Sequence, residues 1–189
     1  MAHPHSAPGA VRAPSASSAS SASPTLRGVV ATIELLAVSV WLGGLAVLGA
    51  IVAPTIFRNV AAPTSADAMT LVFRRFDKVA MACAAIVLAV EAWRAFARSE
   101  HHTKLDIARV VVAASASGLA VWLGVSISPR IAALHEGGAI RGLDALGRQL
   151  DAVHALAETV AKTELALLVA LVALNAIGLA VGRGEPDAR

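Results

Sequence analysis

Charged residues and cysteine are both scarce in this sequence. Only 15% of the 189 residues are charged, whereas a typical soluble domain has about 25%, and the mean hydropathy is +0.69. The single cysteine, Cys83, excludes an intrachain disulfide and a cysteine-based zinc site. Because a small soluble protein cannot bury this much apolar surface, the excess must face lipid.

The sequence also lacks the features of a nucleic-acid-binding protein. There are no tyrosines, and the Lys and Arg residues flank apolar runs instead of forming one basic patch. Nucleic-acid-binding surfaces usually combine a contiguous basic face with aromatic side chains. We therefore expect the partner to be the lipid bilayer and not a nucleic acid.

Four apolar runs dominate the rest of the chain. A helix of about 20 apolar residues crosses a bilayer, so the runs predict an all-α fold, an integral membrane four-helix bundle with a disordered N-terminal tail. The tail is the Ala/Ser/Pro-rich segment 1–25, the bundle is one domain of residues 26–182, and residues 183–189 form a soluble tail. The predicted spans are about 27–53, 77–97, 105–128 and 152–181.

Prolines and polar residues set the predicted ends of the spans. Pro54 and Pro129 have no backbone N–H, so we expect the first and third helices to end there. A helix start at Thr64 and an interfacial lead-in over residues 69–78 precede the second span. Residues 130–150 are predicted to be a polar loop followed by a short surface helix from about Leu143.

Ionisable residues inside the spans are the candidate functional groups, because each costs about 2.5–3.5 kcal/mol at a helix centre. Glu91 precedes Arg94 by three residues, a spacing that predicts an ion pair on one helical face. Glu34 has no partner within one turn of its own helix. It must lie at the interface, stay neutral or find a donor on another helix, and we favour a donor on another helix.

The fourth span starts with a polar stripe. Asp151, His154, Glu158 and Lys162 share one helical face, and Glu164 lies off it and is expected either to cap the helix or to pair separately. The stripe is either a solvated helix end, with ion pairs such as Glu158–Lys162, or part of a site inside the bundle. In the second case the candidate intramembrane cluster consists of Glu34, Glu91, His154, Glu158 and Lys162.

Three functions fit these residues, and no catalytic residue is assigned. The chain has no HExxH, P-loop or GxSxG motif, so a non-enzymatic protein is favoured. Small residues on the spans suggest a bundle that assists transport or a membrane complex, as a homo-oligomer or with a membrane protein partner. The alternatives are a haem or metal-ion cofactor held by His154 with Glu158 and Glu34, and ion or proton translocation through the carboxylates.

Orientation depends on the short basic link between the second and third spans. Positive residues act most strongly in short loops on the cytoplasmic side. We therefore expect a protein of the cell membrane with both termini in the cytoplasm.

Several short segments resemble one family of small membrane proteins. The segments are WLGG at 41–44, VAPTIF at 52–57, SPRI at 128–131 and the histidine of DAVHALAE, His154. In order and spacing they are similar to the family typified by transmembrane protein 205, grouped with the bacterial domain of unknown function 4149. The resemblance implies a four-helix membrane protein without an established activity. The resemblance also implies small polar residues soon after the histidine, whereas this chain has Ala157 and Ala161 there, with Glu158 and Lys162 beside them.

Overall fold

The computed structural model describes residues 24–97 and 103–183. The predicted N-terminal tail lies outside the described residues, except for its last two residues, which begin the first helix. Of the predicted soluble C-terminal tail, residues 184–189 also lie outside. The described residues form helices without strands: α1 Pro24–Val47, α2 Ala53–Asn59, α3 Thr64–Ala97, α4 Lys104–Trp122, α5 Ser128–Glu136 and α6 Ala145–Arg183.

Four continuous helical segments are long and apolar enough to cross a membrane. They are Thr25–Asn59, Thr64–Ala97, Lys104–Glu136 and Ala145–Ala180. α1 packs against α3 and α6, and α4 also packs against both, so the four long helices close a ring around one core. The chain is therefore a multi-pass membrane protein built as a four-helix bundle, as predicted.

The predicted helix ends at Pro54 and Pro129 are wrong. Both prolines lie inside continuous helical segments, which end only at Asn59 and Glu136. A proline cannot donate to the carbonyl four residues earlier, and its ring clashes with that carbonyl. Immediately before each proline, five residues adopt a π-helix, Leu48–Val52 and Leu123–Ile127. The wider turn accommodates the proline without ending the helix.

The two π-helical segments share a sequence pattern. Residues 48–54 and 123–129 both read Leu-Gly, two variable residues, Val or Ile, Ala or Ser, and Pro. In each, the residue before the proline donates its N–H to the leucine carbonyl five positions earlier, Ala53 to Leu48 and Ser128 to Leu123. A π-helical segment immediately before a proline therefore occurs once in the first span and once in the third.

The predicted loop over residues 130–150 is also shorter than expected. α5 continues to Glu136, and a short connection with positive φ at Gly138 and Gly142 leads to α6. The predicted surface helix and fourth span are one helix, since α6 runs without a break from Ala145. Likewise, the predicted lead-in joins the second span in the single helix α3, which begins at Thr64 as expected.

Exposed charges indicate which parts of these long helices leave the hydrocarbon. Helices of 33 to 36 residues measure about 50–54 Å, whereas the hydrocarbon core is about 30 Å thick. Charged side chains facing lipid are costly, so exposed ones mark water or head groups. Exposed charges occur on the first half of α3, on α5 and on the first half of α6: Arg74, Arg75, Lys78, Arg130, Glu158 and Lys162. The end of the bundle that carries α2 and α5 therefore extends beyond the hydrocarbon.

Small residues allow the helices to approach closely near that end. A Cβ at Gly44 would overlap the ring of Phe76, and one at Gly124 would lie 3.2 Å from the Cβ of Asp77. α3 therefore packs against the backbone of both the first and the third span. This close contact keeps the Asp77 side chain buried in the bundle interior.

Candidate functional site

A network of ion pairs lies inside the bundle at the end where α1 begins and α3 ends. Arg94 Nη1 on α3 contacts Glu34 Oε2 on α1 at 2.5 Å and Glu91 Oε1 on its own helix at 2.8 Å. Glu34 is 1% exposed and Glu91 2% exposed. The predicted Glu91–Arg94 pair is confirmed, and Glu34 does find its donor on another helix.

α4 contributes a second arginine to the same network. Arg109 Nε donates to Glu91 Oε1 at 2.7 Å, so one carboxylate oxygen accepts from two guanidinium groups. Arg109 Nη2 also donates to Asp106 Oδ1 at 3.3 Å. The other Glu91 oxygen, Oε2, is buried and has no hydrogen-bond partner among the described residues.

The remaining contacts connect the network to the fourth helix and to the start of α4. Asn175 on α6 donates to Glu34 Oε1 at 3.2 Å. Thr103 and Asp106 form a reciprocal capping box at the start of α4, which fixes Asp106 beside Arg109. We call this set the charged layer: Glu34, Glu91, Arg94, Asp106, Arg109 and Asn175. It contains residues from all four long helices.

A second polar group lies deeper along the bundle, toward the extended end. Trp41 Nε1 donates to Glu164 Oε1 at 2.5 Å, and both side chains are at most 1% exposed. Asp77 is also buried, and Ser128 lies beside its carboxylate. Glu164 Oε2 and Asp77 Oδ2 have no hydrogen-bond partner among the described residues. We call Trp41, Asp77, Ser128 and Glu164 the carboxyl layer.

An apolar core separates the two layers. Between them lie fully buried side chains from all four long helices: Val38, Val87, Ala113, Ala116, Leu168 and Leu171. At 1.5 Å per residue, Trp41 is about 10 Å along α1 from Glu34 and Glu164 is about 16 Å along α6 from Asn175. Ser117, on α4 within this region, is buried and its Oγ has no partner among the described residues.

The structure separates the predicted candidate cluster into two places. Glu34 and Glu91 lie in the charged layer, and His154, Glu158 and Lys162 lie near the other end of α6. Asn175, which contacts Glu34, is about 31 Å along the helix from His154 at 1.5 Å per residue. One copy of the chain therefore does not bring Glu34 and His154 together.

The polar stripe of α6 has the character of a solvated helix end. Lys162 Nζ contacts Glu158 Oε1 at 2.6 Å, with both side chains about two-thirds exposed or more. His154 is half-buried, and its ring stands edge-on to that of His135 with 5.9 Å between centroids. In the described part of the chain, no three His, Cys, Asp or Glu side chains are grouped to hold a metal ion.

Sequence reasoning did not single out most of the buried partners. Asp106, Arg109 and Asp77 lie near the ends of predicted apolar segments, where charges are common on solvated surfaces. For Arg109 the helical spacing is a usable signal of an inward direction, since it shares a face with the small apolar residues Ala113, Ala116 and Ala120. Glu164 was expected to pair separately from the stripe, and it does so with Trp41.

Comparisons with known proteins identify a family without an assigned activity. The family described as Domain of unknown function (DUF4149) matches residues 36–139, which include the segments at 41–44, 52–57 and 128–131 but not His154. No curated protein and no solved structure matches the chain. The likeness to transmembrane protein 205 remains a resemblance.

Removing one member of the charged layer is expected to destabilise the fold strongly. Arg109→Met removes one of the two guanidinium groups that pair with Glu91, together with an ion-pair partner of Asp106, and should lower the free energy of unfolding by about 3–5 kcal/mol. Arg141→Met is the matched control, since Arg141 contacts Asp151 at 2.6 Å on the exposed surface. That change should leave the free energy of unfolding almost unaltered, because water screens an exposed ion pair. Unfolding in detergent micelles measures both, and equal losses would contradict a supporting role for the charged layer.

Proposed function

Because the chain belongs to the family described as domain of unknown function DUF4149, which brings no activity with it, we propose a function from the buried polar layers: a non-enzymatic membrane protein that transfers protons. The observation that carries the proposal is the pair Asp77 and Glu164. Two carboxyl groups buried in the bundle interior are costly when charged, and carboxyls buried in membrane bundles frequently belong to proton relays. No Lys or Arg among the described residues pairs with either one.

The free oxygens of these carboxyls are the places where a proton would bind. Trp41 donates to one oxygen of Glu164, and Ser128 lies beside the Asp77 carboxylate. Among the described residues, Glu164 Oε2 and Asp77 Oδ2 have no hydrogen-bond partner. A proton on such an oxygen removes the buried charge, whereas a metal ion would require several more oxygen ligands. The arrangement therefore favours a proton over a larger cation.

The two layers lie on either side of the apolar core, which in this conformation separates them. A proton moving from Glu164 or Asp77 toward Glu34 would need water to enter the core, with the Ser117 hydroxyl as an intermediate hydrogen-bonding group. Transfer would then depend on transient hydration of the core. This behaviour is expected of a slow or regulated path and not of an open pore.

Proton flux into proteoliposomes tests the proposal. With a potassium diffusion potential and an internal pH-sensitive dye, the parent protein should acidify vesicles faster than empty liposomes. Glu164→Gln and Asp77→Asn remove the proton-binding oxygens and should each reduce the flux by about tenfold or more. Glu158→Gln, on the same helix as Glu164 but exposed, is the matched control and should leave the flux unchanged. Parent flux equal to that of empty vesicles, or undiminished flux in Glu164→Gln, would overturn the proposal.

We also propose that the protein works as a homo-oligomer, and the small residues of α4 support this second feature. Ser117 faces the bundle interior, but Ala114, Ser115 and Gly118 face outward, and nothing lies within 4 Å of a Cβ at Gly118. Small residues four apart on an outer face allow another transmembrane helix to approach closely.

A bulky residue on that face is expected to dissociate the oligomer. Gly118→Leu should convert the detergent-solubilised protein to monomers, because the larger side chain keeps the helices apart. Gly43→Leu, at another exposed and open position, should leave the assembly intact. Light scattering and cross-linking report the mass, and a parent protein that is already monomeric would contradict the proposal.

We propose a cell-membrane location with both termini in the cytoplasm. The support is the short link at residues 98–104, which contains Arg98 and Lys104. In intact cells, an epitope tag at either end should be reached by antibody only after the membrane is permeabilised. Labelling of either tag on unopened cells would reverse the orientation.

A further inference from the structure

A cavity of about 230 Å³ opens beside the charged layer, between the end of α3 and the start of α4. Four of its lining residues are charged, namely Glu91, Arg94, Asp106 and Arg109. Its other walls are apolar: Ala95, Ile107, Val110 and Val111. We call this cavity the α3–α4 cleft.

From the α3–α4 cleft we propose a site for one phospholipid whose head group carries both a phosphate and a primary ammonium. This inference is independent of proton transfer, because neither Asp77 nor Glu164 lines the cleft. Within the described residues, the cleft offers guanidinium donors not taken by carboxylates, a carboxylate oxygen without a partner, offset charge and an apolar wall on the outside of the bundle.

The two arginines retain donors for a phosphate. Arg94 makes both of its carboxylate contacts through Nη1, and Arg109 uses Nε and Nη2. Within the described residues, N–H groups on Arg94 Nε, Arg94 Nη2 and Arg109 Nη1 are therefore not taken by carboxylates. Guanidinium groups bind phosphate through such donors, and basic pockets between transmembrane helices bind lipid head groups.

The carboxylates favour a head group that also has a positive end. The lining contains two guanidinium groups and two carboxylates, and Glu34 behind it also contacts Arg94, so the positive charge is already offset and a purely anionic ligand would be opposed. Glu91 is nine-tenths buried or more, and its Oε2 has no hydrogen-bond partner among the described residues. A primary ammonium has three donors and would satisfy this acceptor while the phosphate binds the arginines.

The position and apolar wall of the cleft indicate a lipid and not a free phosphate compound. Ile107 and Val111 are each 57% exposed on the outer surface of α4, where an acyl chain can lie along them. Arg94 is three residues from the end of α3, and Asp106 is in the first turn of α4. A lipid in the cleft would thus have its head group at the helix ends and its chains in the hydrocarbon.

Lipid titration of the delipidated, detergent-solubilised full chain, followed by native mass spectrometry, tests the site. Lysophosphatidylethanolamine should bind with one equivalent per chain. Lysophosphatidylglycerol, which has the phosphate without the ammonium, should bind at least about tenfold more weakly, and O-phosphoethanolamine, which has no acyl chain, more weakly still. Equal binding of both lysolipids would overturn the assignment of the head group. O-phosphoethanolamine that binds as tightly as the lipid would overturn the assignment of a lipid.

Filling the cleft separates specific binding from detergent-like association. Ile107→Trp and Val111→Trp place a large side chain at the wall without changing any charged residue, and each should reduce binding by about tenfold or more. Because both positions are exposed, at least one variant is expected to fold with the parent's unfolding temperature. Val121→Trp, on the exposed surface of α4 outside the cleft, is the control and should bind like the parent. Unchanged binding in a folded cleft variant would refute the site.

Discussion

The sharing of Glu91 between Arg94 and Arg109 is the interaction on which the arrangement of the helices depends. In a low-dielectric interior, each of these charges is tolerable only while its partners stay in place. The pairs hold the end of α3 against the start of α4, and Arg94 extends the network to Glu34 on α1. Once α1 is fixed there, Trp41 lies two turns further along the same face, opposite Glu164.

Much of the fold could be predicted from the sequence because the length of each apolar run indicates, without any other part of the chain, that its helix can cross the bilayer. The Glu91–Arg94 pair could be predicted for the same reason, since its three-residue spacing is visible on one helix. Contacts between distant positions could not be read in this way. Arg109 meets Glu91 only because α3 and α4 form a hairpin, and the separation of Glu34 from His154 follows from which end of α6 contacts α1.

The errors at Pro54 and Pro129 have a common physical origin. The rule that proline ends a helix assumes that the preceding turn keeps its α-helical hydrogen bonds. Here the preceding turn widens into a π-helix, so the chain continues helical while the proline ring avoids the carbonyl beneath it. The shared pattern at residues 48–54 and 123–129 would have been a usable signal, because a proline five residues after a Leu-Gly pair occurs in both spans.

The unequal ends of the bundle affect how the protein meets its surroundings. The charged layer lies close to the helix ends on one side, while on the other side α3 and α6 continue for several turns past the exposed lysines Lys78 and Lys162. A thicker or thinner bilayer can therefore be accommodated there by immersing or uncovering amphipathic turns, at little cost to the buried contacts. For the same reason, an antibody or soluble binder selected against the folded protein would reach most of the water-accessible part of the described surface at that protruding end.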